Sequence, residues 1–496
     1  MRKFAAAALA AALCLSSASA QALTVTGLET ETVDRQWETS LFFERMQQIT
    51  GVAVQAHGVS DAQAYDEMIA AMAAGDVPAD VLFKANLSRE QERTLLDAGA
   101  IIDLAPLIDA NMPNLSALLV ENPEWGRTIA LEDGRIASLP LINRAERQVC
   151  MWINASWLSA LGIPMPTTLE ELTQALIAMR DGDPNGNGKA DEIAADLTGV
   201  YEMRWLLPYF GIVADDYNLA RSTDGEIVFA PELPAYRSFI ALLCDWVESG
   251  VLPADAFTAM HVAEVLLGTE EEEAVTSGLL LSTTPYTAVP VEATADYQAL
   301  LLAGPDGVMR WRDLLGEIWT GCFAVTSACE NPAQALAWVD ALYAPEGAIL
   351  AYAGVEGEDY AYNAQGRWAF QTDGARSINA IRAQVLMYTG AAMPGLYPDA
   401  FLAQVDSAID VHVMEQSERV RAVSERVLPA YALSEAEQAR ADELAAAIGG
   451  LVDRGIARFA TGEWALTDEN YAAWLAQLRE AGSEELTQLA QNALED

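Results

Sequence analysis

Short apolar segments alternate with longer segments of helical periodicity near the start of this chain. The pattern predicts strands at 23–27, 52–57 and 80–83, separated by helices at 34–50 and 62–74. Strands that alternate with helices are joined by crossover connections, and such units build a parallel sheet that is covered by helices. The chain is therefore predicted to belong to the α/β fold class.

The length of the chain limits how its core can be organised. The sequence has 496 residues, of which 52% are apolar. A single hydrophobic core rarely grows beyond about 250–300 residues, so we expect two large α/β lobes. Further predicted elements are strands at 136–141 and 148–154, helices at 168–181 and 333–343, and a helical end at 433–454 and 470–494.

Acidic residues dominate the charge of the chain. There are 72 acidic and 28 basic residues, which gives a formal net charge of −44. A chain with this charge is repelled by nucleic acids and by anionic lipid headgroups. Self-repulsion also keeps such a protein soluble and monomeric. We therefore predict a monomer with no nucleic-acid partner.

The first twenty residues have the pattern of a secretory signal peptide. Arg2 and Lys3 precede an apolar run at 4–15, and small residues follow up to Ala20. We predict a signal peptide over residues 1–20 and a periplasmic or otherwise extracytoplasmic location. An oxidising compartment permits disulfides, so free thiols and one bridge both remain open for Cys150, Cys244, Cys322 and Cys329.

The segment 183–192 carries oxygen-bearing side chains at alternate positions. With Asp183 as position 1, they fall at positions 1, 3, 5 and 9 of an EF-hand calcium loop. Position 12 is Ala194 instead of glutamate, and Glu192 is the expected substitute. The alternative is a solvated Asx-turn loop without metal. The loop predicts a structural Ca²⁺ ion held by Asp183, Asn185, Asn187, the carbonyl of Lys189, Asp191 and Glu192.

Six segments that span most of the chain form a set whose order and spacing match one protein family. They lie at 133–140 with 149–154, 161–172, 183–192, 354–360, 433–438 and 459–462. Together they resemble the extracellular solute-binding proteins of ABC importers. The resemblance is to the carbohydrate group that contains alginate-oligosaccharide binders and LipO-type lipoproteins.

The resemblance implies both a fold and a function. The fold is a type II periplasmic-binding fold, in which two α/β lobes are joined by a hinge and hold the ligand in the cleft between them. Lobe one would comprise 23–145 and 305–345, and lobe two 146–304 and 346–496. The protein would bind an oligosaccharide and deliver it to ABC permease subunits in the membrane. A protein of the same fold that presents its ligand to a membrane receptor is a further alternative.

Candidate ligand-binding residues follow from the chemistry of sugars. Hydroxyl edges require planar polar groups, and apolar ring faces require aromatic rings. By resemblance Tyr286 is the first choice of aromatic ring, although core packing is the alternative for each aromatic residue. The candidates are Glu29, Thr30, Lys84, Asn86, Asn143, Arg144, Arg204, Trp205, Tyr209, Tyr286 and Trp319.

The charge of the ligand stays open at the level of sequence. If Lys84, Arg144 and Arg204 converge, they favour a uronate oligosaccharide, because arginine binds carboxylates in a bidentate manner. Neutral oligosaccharides are equally consistent with the resemblance.

The alternative function is that of an exported carbohydrate-active enzyme, such as a glycoside hydrolase with a structural calcium loop. The three histidines have no metal-binding spacing, and neither a Gly-x-Ser-x-Gly elbow nor a phosphate-binding loop occurs. With 72 acidic residues, chance carboxylate pairs are common, but no pair stands out. We predict a protein without catalytic activity.

Overall fold

The computed structural model describes most of the chain. The described residues are 22–31, 35–143, 149–222, 224–257, 277–313, 318–372, 376–428 and 433–495. The predicted signal peptide at 1–20 and the candidate Arg144 lie outside them. No helix in this described part is long and apolar enough to cross a membrane.

The strands are short, and most of them are buried. In chain order they are β1 (Leu23–Leu28), β2 (Val54–Val59), β3 (Val81–Phe83), β4 (Leu139–Ile142), β5 (Cys150–Asn154), β6 (Ile193–Asp196), β7 (Leu219–Arg221), β8 (Ile227–Phe229), β9 (Ser277–Ser282), β10 (Tyr297–Ala299), β11 (Trp311–Asp313), β12 (Ile318–Val325), β13 (Tyr360–Tyr362), β14 (Trp368–Phe370), β15 (Gly395–Leu396) and β16 (Ser424–Arg426).

Helices separate most of these strands. They are α1 (Leu41–Thr50), α2 (Ala62–Ala73), α3 (Arg89–Asp97), α4 (Ala105–Asn111), α5 (Pro113–Glu121), α6 (Pro123–Ile129), α7 (Ala155–Ala160), α8 (Leu169–Asp181), α9 (Gly199–Met203), α10 (Pro234–Glu248), α11 (Pro332–Asp340), α12 (Pro345–Ala353), α13 (Ile378–Gln384), α14 (Asp399–Leu402), α15 (Ala408–Arg421), α16 (Glu435–Ala460), α17 (Asp468–Glu480) and α18 (Ser483–Glu495).

Local chemistry sets several helix boundaries. The helix predicted at 34–50 begins later, at Leu41, because the Ser40 side chain accepts the Phe42 N–H and caps it there. It ends at Gly51, which adopts the left-handed conformation that favours glycine. Asn331 caps α11, since its side chain accepts the Gln334 N–H.

The first sheet has six strands in the order β15-β4-β12-β3-β1-β2. β1 runs parallel to both β2 and β3, so the predicted parallel sheet is confirmed for these strands. β12 is antiparallel to its neighbours β3 and β4. Gly27 is required in β1, because a Cβ at this position would lie 1.6 Å from the Phe83 carbonyl oxygen.

The second sheet has four strands in the order β10-β5-β9-β6. β5 is antiparallel to β9 and β10, whereas β6 is parallel to β9. Each sheet lies against its own hydrophobic cluster. One cluster includes Leu23, Phe83 and Trp338, and the other includes Trp152, Trp246 and Trp474. The chain therefore forms two α/β lobes.

The two clusters divide the chain at different residues from those predicted. Segment 346–402 was expected in lobe two, but Leu350, Tyr352 and Met393 belong to the cluster of the first sheet, and β15 pairs with β4. Conversely, Trp311 was expected in lobe one, but it is buried in the cluster of the second lobe. The sequence could not reveal this, because strand pairing between distant segments leaves no local pattern.

Four cysteines in the described part are unbridged: Cys150 and Cys322 are buried, whereas Cys244 and Cys329 are partly buried. Burial raises the pKa of the Cys322 thiol to about 12, so the thiol stays protonated. Of the two states that the sequence left open, the structure has free thiols.

Candidate functional site

The chain crosses between the two sheets more than once. The chain leaves the first sheet at the end of β4 and enters the second at β5, and it returns from β11 to β12. The Trp311 indole N–H donates to the Val149 carbonyl at 2.6 Å, which links the first residue of β11 to the residue before β5. In α/β proteins, ligands bind beyond the carboxyl ends of the strands. The ends of β1, β3 and β4, together with the end of β9, therefore define the candidate site.

A group of charged side chains, which we call the buried ion cluster, lies beyond β1 and β3. The Glu29 carboxylate accepts hydrogen bonds from the Trp37 indole at 2.7 Å and from Arg35 Nη1 at 3.0 Å. Lys84 Nζ lies 3.6 Å from Glu29 Oε1. The cluster contains three cations and two carboxylates: Arg35, Lys84, Arg382, Glu29 and Glu31.

The cluster sets the protonation of its members. Burial alone would raise the pKa of the Glu29 carboxyl, but Lys84, Trp37 and Arg35 together hold that pKa below its usual value. Burial lowers the pKa of Lys84 to about 8, although the Glu29 carboxylate opposes this shift. Glu29 is therefore an ionised partner within the cluster and is unsuited to act as a general acid.

The same cluster fixes a distant segment of the chain. Lys84 Nζ donates to the Thr389 carbonyl at 2.7 Å, and Arg35 Nη2 donates to the Thr389 hydroxyl at 2.5 Å. Arg35 also donates to the Arg382 carbonyl, and Arg382 pairs with Glu31 at 2.6 Å. The segment 382–390 is thus held against the carboxyl ends of β1 and β3.

The backbone after β3 is strained at the edge of this site. Lys84 and Asn86 have φ values of 54° and 49°, in the left-handed region that non-glycine residues rarely adopt. Such residues cost about 1–3 kcal/mol each and concentrate at functional sites. Main-chain bonds to β12 hold this conformation, since Ala85 N–H donates to the Cys322 carbonyl at 3.0 Å.

The predicted polar residues of the first lobe have different surroundings. Glu29, Lys84 and Asn143 are buried, whereas Thr30 and Asn86 are exposed at the strand ends. The structure therefore places Glu29 and Lys84 next to each other. They are buried and interact with each other, so they are not open to a ligand. The sequence could not show this, because a single scarce lysine carries no signal of burial.

Two predicted aromatic ligands in the second lobe are core residues. Trp205 and Tyr209 lie in the 3₁₀ helix Arg204–Phe210, where both side chains are almost fully buried. Their ring centroids lie 5.8 Å and 5.6 Å from that of Trp311. The Tyr209 hydroxyl donates to the Leu300 carbonyl at 2.7 Å. Because no ring face is open, the structure corrects both assignments in favour of core packing.

Arg204 is also engaged within its own lobe. Its Nη1 donates to Asn218 Oδ1 at 2.9 Å, and its guanidinium lies 5.9 Å from the Tyr201 ring centroid. Lys84 has its partners in the first lobe. Two of the three cations that were considered for a uronate ligand therefore have separate protein partners in separate lobes.

Tyr286 and Trp319 remain at accessible positions. Tyr286 lies in the short turn Pro285–Thr287 directly after β9, and it is partly buried against the second core. Trp319 lies in β12 opposite Leu141, near the chain crossing, and is also partly buried. Both residues lie at the edge of the sheets where the strands named above end. Their assignment as ligand-binding residues stays a prediction.

An aromatic group at this edge was missed by the sequence analysis. Tyr388 stacks on Tyr352 with ring centroids 4.4 Å apart, and Tyr397 meets Tyr352 edge-on at 5.2 Å. Tyr388 directly precedes Thr389, which the buried ion cluster binds. The available signal was an aromatic residue two positions before Gly390 in a segment without clear periodicity.

The 183–192 loop adopts a compact turn closed by its own amides. Gly188 N–H donates to Asp183 Oδ2 at 3.1 Å, and Lys189 N–H donates to Asn187 Oδ1 at 2.7 Å. The Asn187 amide donates to both oxygens of Asp191 at 3.1 Å. Of the five predicted side chains, those of Asp183, Asn185, Asn187 and Asp191 thus take part in hydrogen bonds within the loop.

Glu192 differs from the rest of this loop. Its side chain is buried, with 8% exposure, yet neither carboxylate oxygen has a hydrogen-bond partner. A buried carboxylate without a partner is costly unless a cation neutralises it. The described residues contain no cluster of three or more His, Cys, Asp and Glu side chains suited to a metal, so a cation here would also need amide and main-chain oxygens. Such oxygens are the ligands that Ca²⁺ takes.

A separate cavity is lined by residues of both lobes. It has a volume of about 460 Å³ and lies between the loop around Asp133 and the start of α16. Its charges are mixed, and it contains no aromatic ring and none of the predicted ligand-binding residues. The lining residues are Arg93, Asp97, Leu131, Glu132, Asp133, Arg135, Ser434 and Glu437.

Part of the chain is similar to a known protein family and to a named member of an ABC transporter. Residues 30–223 match the family described as bacterial extracellular solute-binding protein. The fructooligosaccharide ABC transporter substrate-binding protein FusA of Streptococcus pneumoniae serotype 4 is 29% identical over 309 residues, 59% of this chain and 55% of FusA. The chain thus spans about half the length of this relative.

Solved structures agree with the fold over nearly the whole chain. An HMO-binding, ABC-transporter-associated solute-binding protein from Bifidobacterium longum infantis aligns with a TM-score of 0.78 and 20% identity, over 95% of this chain and 97% of that chain. The alginate-binding protein AlgQ2, solved without calcium ion, aligns with a TM-score of 0.67 and 18% identity, over 96% and 98%. These likenesses establish the two-lobed periplasmic-binding fold.

Proposed function

We propose that this chain, which is similar to the bacterial extracellular solute-binding proteins, binds an oligosaccharide between its two lobes and delivers it to the membrane permease of an ABC importer. The observation that carries this proposal is the arrangement of strand ends. β1, β3 and β4 run in the same direction and end at one edge of the first sheet, which is the edge where the chain leaves after β4, and β9 of the other sheet ends beside the start of β5.

The side chains at these strand ends suit a sugar. Tyr286, Trp319 and Tyr388 offer aromatic rings, and Thr30 and Asn86 offer exposed polar groups. Aromatic rings bind the apolar faces of sugars, and hydroxyl and amide groups bind their edges. FusA, described as a fructooligosaccharide binder, supports an oligosaccharide as the ligand class.

The proposal includes a non-catalytic, monomeric and extracytoplasmic protein. The carboxylate that directly follows β1, Glu29, is ionised and bound by cations, so it is not suited to protonate a leaving group. The sequence pattern of residues 1–20 supports export, and the family is described as extracellular.

We also propose that the 183–192 loop binds a structural Ca²⁺ ion. The buried carboxylate of Glu192 supports it, together with Asp183, Asn185, Asn187, Asp191 and the Lys189 carbonyl. The ion would supply positive charge to a buried carboxylate and would fix the connection from α8 to β6. A FusA structure described as an EF-hand mutant and the AlgQ2 structure without calcium ion support this role.

A binding and recovery experiment tests the main proposal. The purified protein is titrated calorimetrically with maltotetraose, cellotetraose, xylotetraose, nystose and tetragalacturonate, and each ligand is then recovered and analysed by chromatography. We expect at least one ligand to bind and to be recovered intact. Shortened products would favour the glycoside hydrolase, and no binding to this panel would contradict the proposed function.

A further inference from the structure

We propose that Tyr388 is a stacking surface for a sugar ring of the ligand, and that the buried ion cluster positions it. This inference rests on the proposed oligosaccharide function and assigns a ligand contact within it. Tyr388 would be a specificity-determining residue, because it would touch the ligand. Lys84 would be a positioning residue, because it would act through Thr389.

The ring of Tyr388 has one covered face and a large exposed part. Its plane lies at 11° to that of Tyr352, at a centroid distance of 4.4 Å. Tyr352 is 5% exposed, whereas Tyr388 is 37% exposed. Tyr352 therefore supports the Tyr388 ring from one side, while more than a third of the Tyr388 residue stays exposed. A flat, accessible ring face is the shape that an apolar sugar face requires.

Tyr388 lies at the carboxyl edge of the first sheet. The next residues, Thr389 and Gly390, lie against the segment that follows β1. A Cβ placed on Gly390 would lie 2.9 Å from the Glu31 amide nitrogen and 3.1 Å from the Thr30 hydroxyl oxygen. This close approach sets the ring beside the strand ends, where α/β folds bind ligands.

The support beneath Tyr388 is more rigid than an ordinary loop. The Thr389 carbonyl accepts from Lys84 Nζ and from Arg35 Nη1, at 2.7 Å and 3.3 Å. Both donors are buried, and charge-assisted hydrogen bonds are stronger than neutral ones. A ring that is held before the ligand arrives loses little conformational entropy on binding.

A purely structural role accounts poorly for this arrangement. An aromatic ring that only fills a gap in the packing does not need a buried ion cluster bound to the next residue. The combination of partial exposure, a stacked partner and charged anchors is that of a preformed contact surface.

The main test compares two exposed tyrosines. Tyr388→Ala removes the proposed contact, and Tyr362→Ala is the matched control, because Tyr362 is 40% exposed and meets Tyr360 edge-on at 5.9 Å. With the tightest-binding sugar of the five-member panel, we expect Tyr388→Ala to raise Kd about tenfold or more. We expect Tyr388→Phe and Tyr362→Ala to stay within about threefold of the wild type, a free-energy change below about 0.7 kcal/mol.

The positioning role of Lys84 has a separate readout. In a double-mutant cycle, Lys84→Met should weaken binding when Tyr388 is present and add little when Tyr388 is already alanine. Lys84→Gln replaces Lys84→Met if the latter does not fold. Equal losses in both backgrounds would show a merely structural effect and would overturn the positioning role.

The outcomes separate this inference from the proposed function. If the wild type binds a sugar and Tyr388→Ala binds it with the same Kd, the inference is wrong and the function stands. If the wild type binds none of the five sugars, the function fails and the inference fails with it.

Discussion

The buried ion cluster and the 183–192 loop both contain charged side chains that are buried away from water, but the two groups of side chains differ in their partners. In the cluster, Glu29 accepts from Trp37 and Arg35 and lies beside Lys84. In the loop, both oxygens of Glu192 are buried without a partner. In the first arrangement the carboxylate has its partners within the protein, whereas in the second it has no hydrogen-bond partner, and there we propose a bound cation.

This difference in partners indicates which part of the protein is expected to need a bound ion for its stability. A closed set of ion pairs contributes the same whatever the solution contains, apart from pH. A buried carboxylate without a partner destabilises the protein until a cation binds, and binding then stabilises the folded state by mass action. Under the proposed calcium site, the lobe that holds Tyr388 is expected to be insensitive to calcium, whereas the connection between α8 and β6 is expected to depend on it.

Removing Glu29 gives the largest expected effect. Glu29→Ala leaves Arg35 and Lys84 buried without their carboxylate, and breaking a buried ion pair costs about 3–5 kcal/mol. Urea unfolding monitored by tryptophan fluorescence measures this loss. The control is Glu38→Ala, which removes an exposed pair with His57 and should cost less than about 1 kcal/mol. Equal losses in the two variants would contradict the distinction between buried and exposed pairs.

The lowered pKa of Lys84 predicts that the free energy of unfolding rises at alkaline pH. Its pKa is about 8 in the folded protein, against 10.5 for the ordinary side chain. Between these values the unfolded chain holds a proton that the folded chain has lost, so the free energy of unfolding increases with pH. The difference amounts to about 3 kcal/mol across the window.

The Lys84→Met variant isolates this contribution. Its free energy of unfolding should lack the part of the rise between pH 8 and pH 10.5 that Lys84 causes. Urea titrations of both proteins at several pH values measure the difference. Parallel profiles for the wild type and the variant would show that Lys84 does not change its protonation in this range.

Calcium should reverse the effect of Glu192→Gln on the stability of the protein. In chelator, Glu192→Gln should be more stable than the wild type, because it removes a buried charge without a partner. In calcium at about 100 times Kd, the wild type should gain about 2.7 kcal/mol, and the variant much less. Thermal unfolding with EGTA and with CaCl₂ measures both arms, with the exposed Glu67→Gln as the control. A variant that ranks the same under both conditions would contradict the calcium site.

The charge of the ligand gives the smallest expected effect. Lys84 and Arg204 already have protein partners, and the net charge of −44 repels anions. Maltotetraose or another neutral tetrasaccharide of the panel should therefore bind at least about tenfold more tightly than tetragalacturonate, a difference of about 1.4 kcal/mol. Calorimetry at low and at physiological salt measures it. Tighter binding of the uronate would show that cations outside this pair line the cleft.

Local patterns predicted the elements well where chemistry acts over a few residues. The helix predicted at 168–181 is α8, Leu169–Asp181, because Thr168 caps its start. The strand expected at 148–154 is β5, Cys150–Asn154. Helix periodicity, caps and strand alternation are read within one segment, so these boundaries needed no tertiary information.

The site was predicted less completely, because burial depends on partners that are distant in sequence. Trp205 and Tyr209 have the composition of a sugar site, but Trp311 comes to lie against both. Lys84 looks like a free cation in the sequence, but Thr389 lies 305 positions away and accepts from it. Tyr388 was missed for the same reason, since its exposure is decided by Tyr352 and by the strand ends.

The sequence by itself determined the α/β class, the helix caps and the spacing of oxygen groups in the 183–192 loop, since each depends on contacts among residues close along the chain. The tertiary structure alone decided which lobe holds segment 346–402, which charges are buried together and which tyrosine is exposed at the strand ends. These features arise when residues hundreds of positions apart pack against one another. Packing energies of that kind leave no periodic trace in a single sequence.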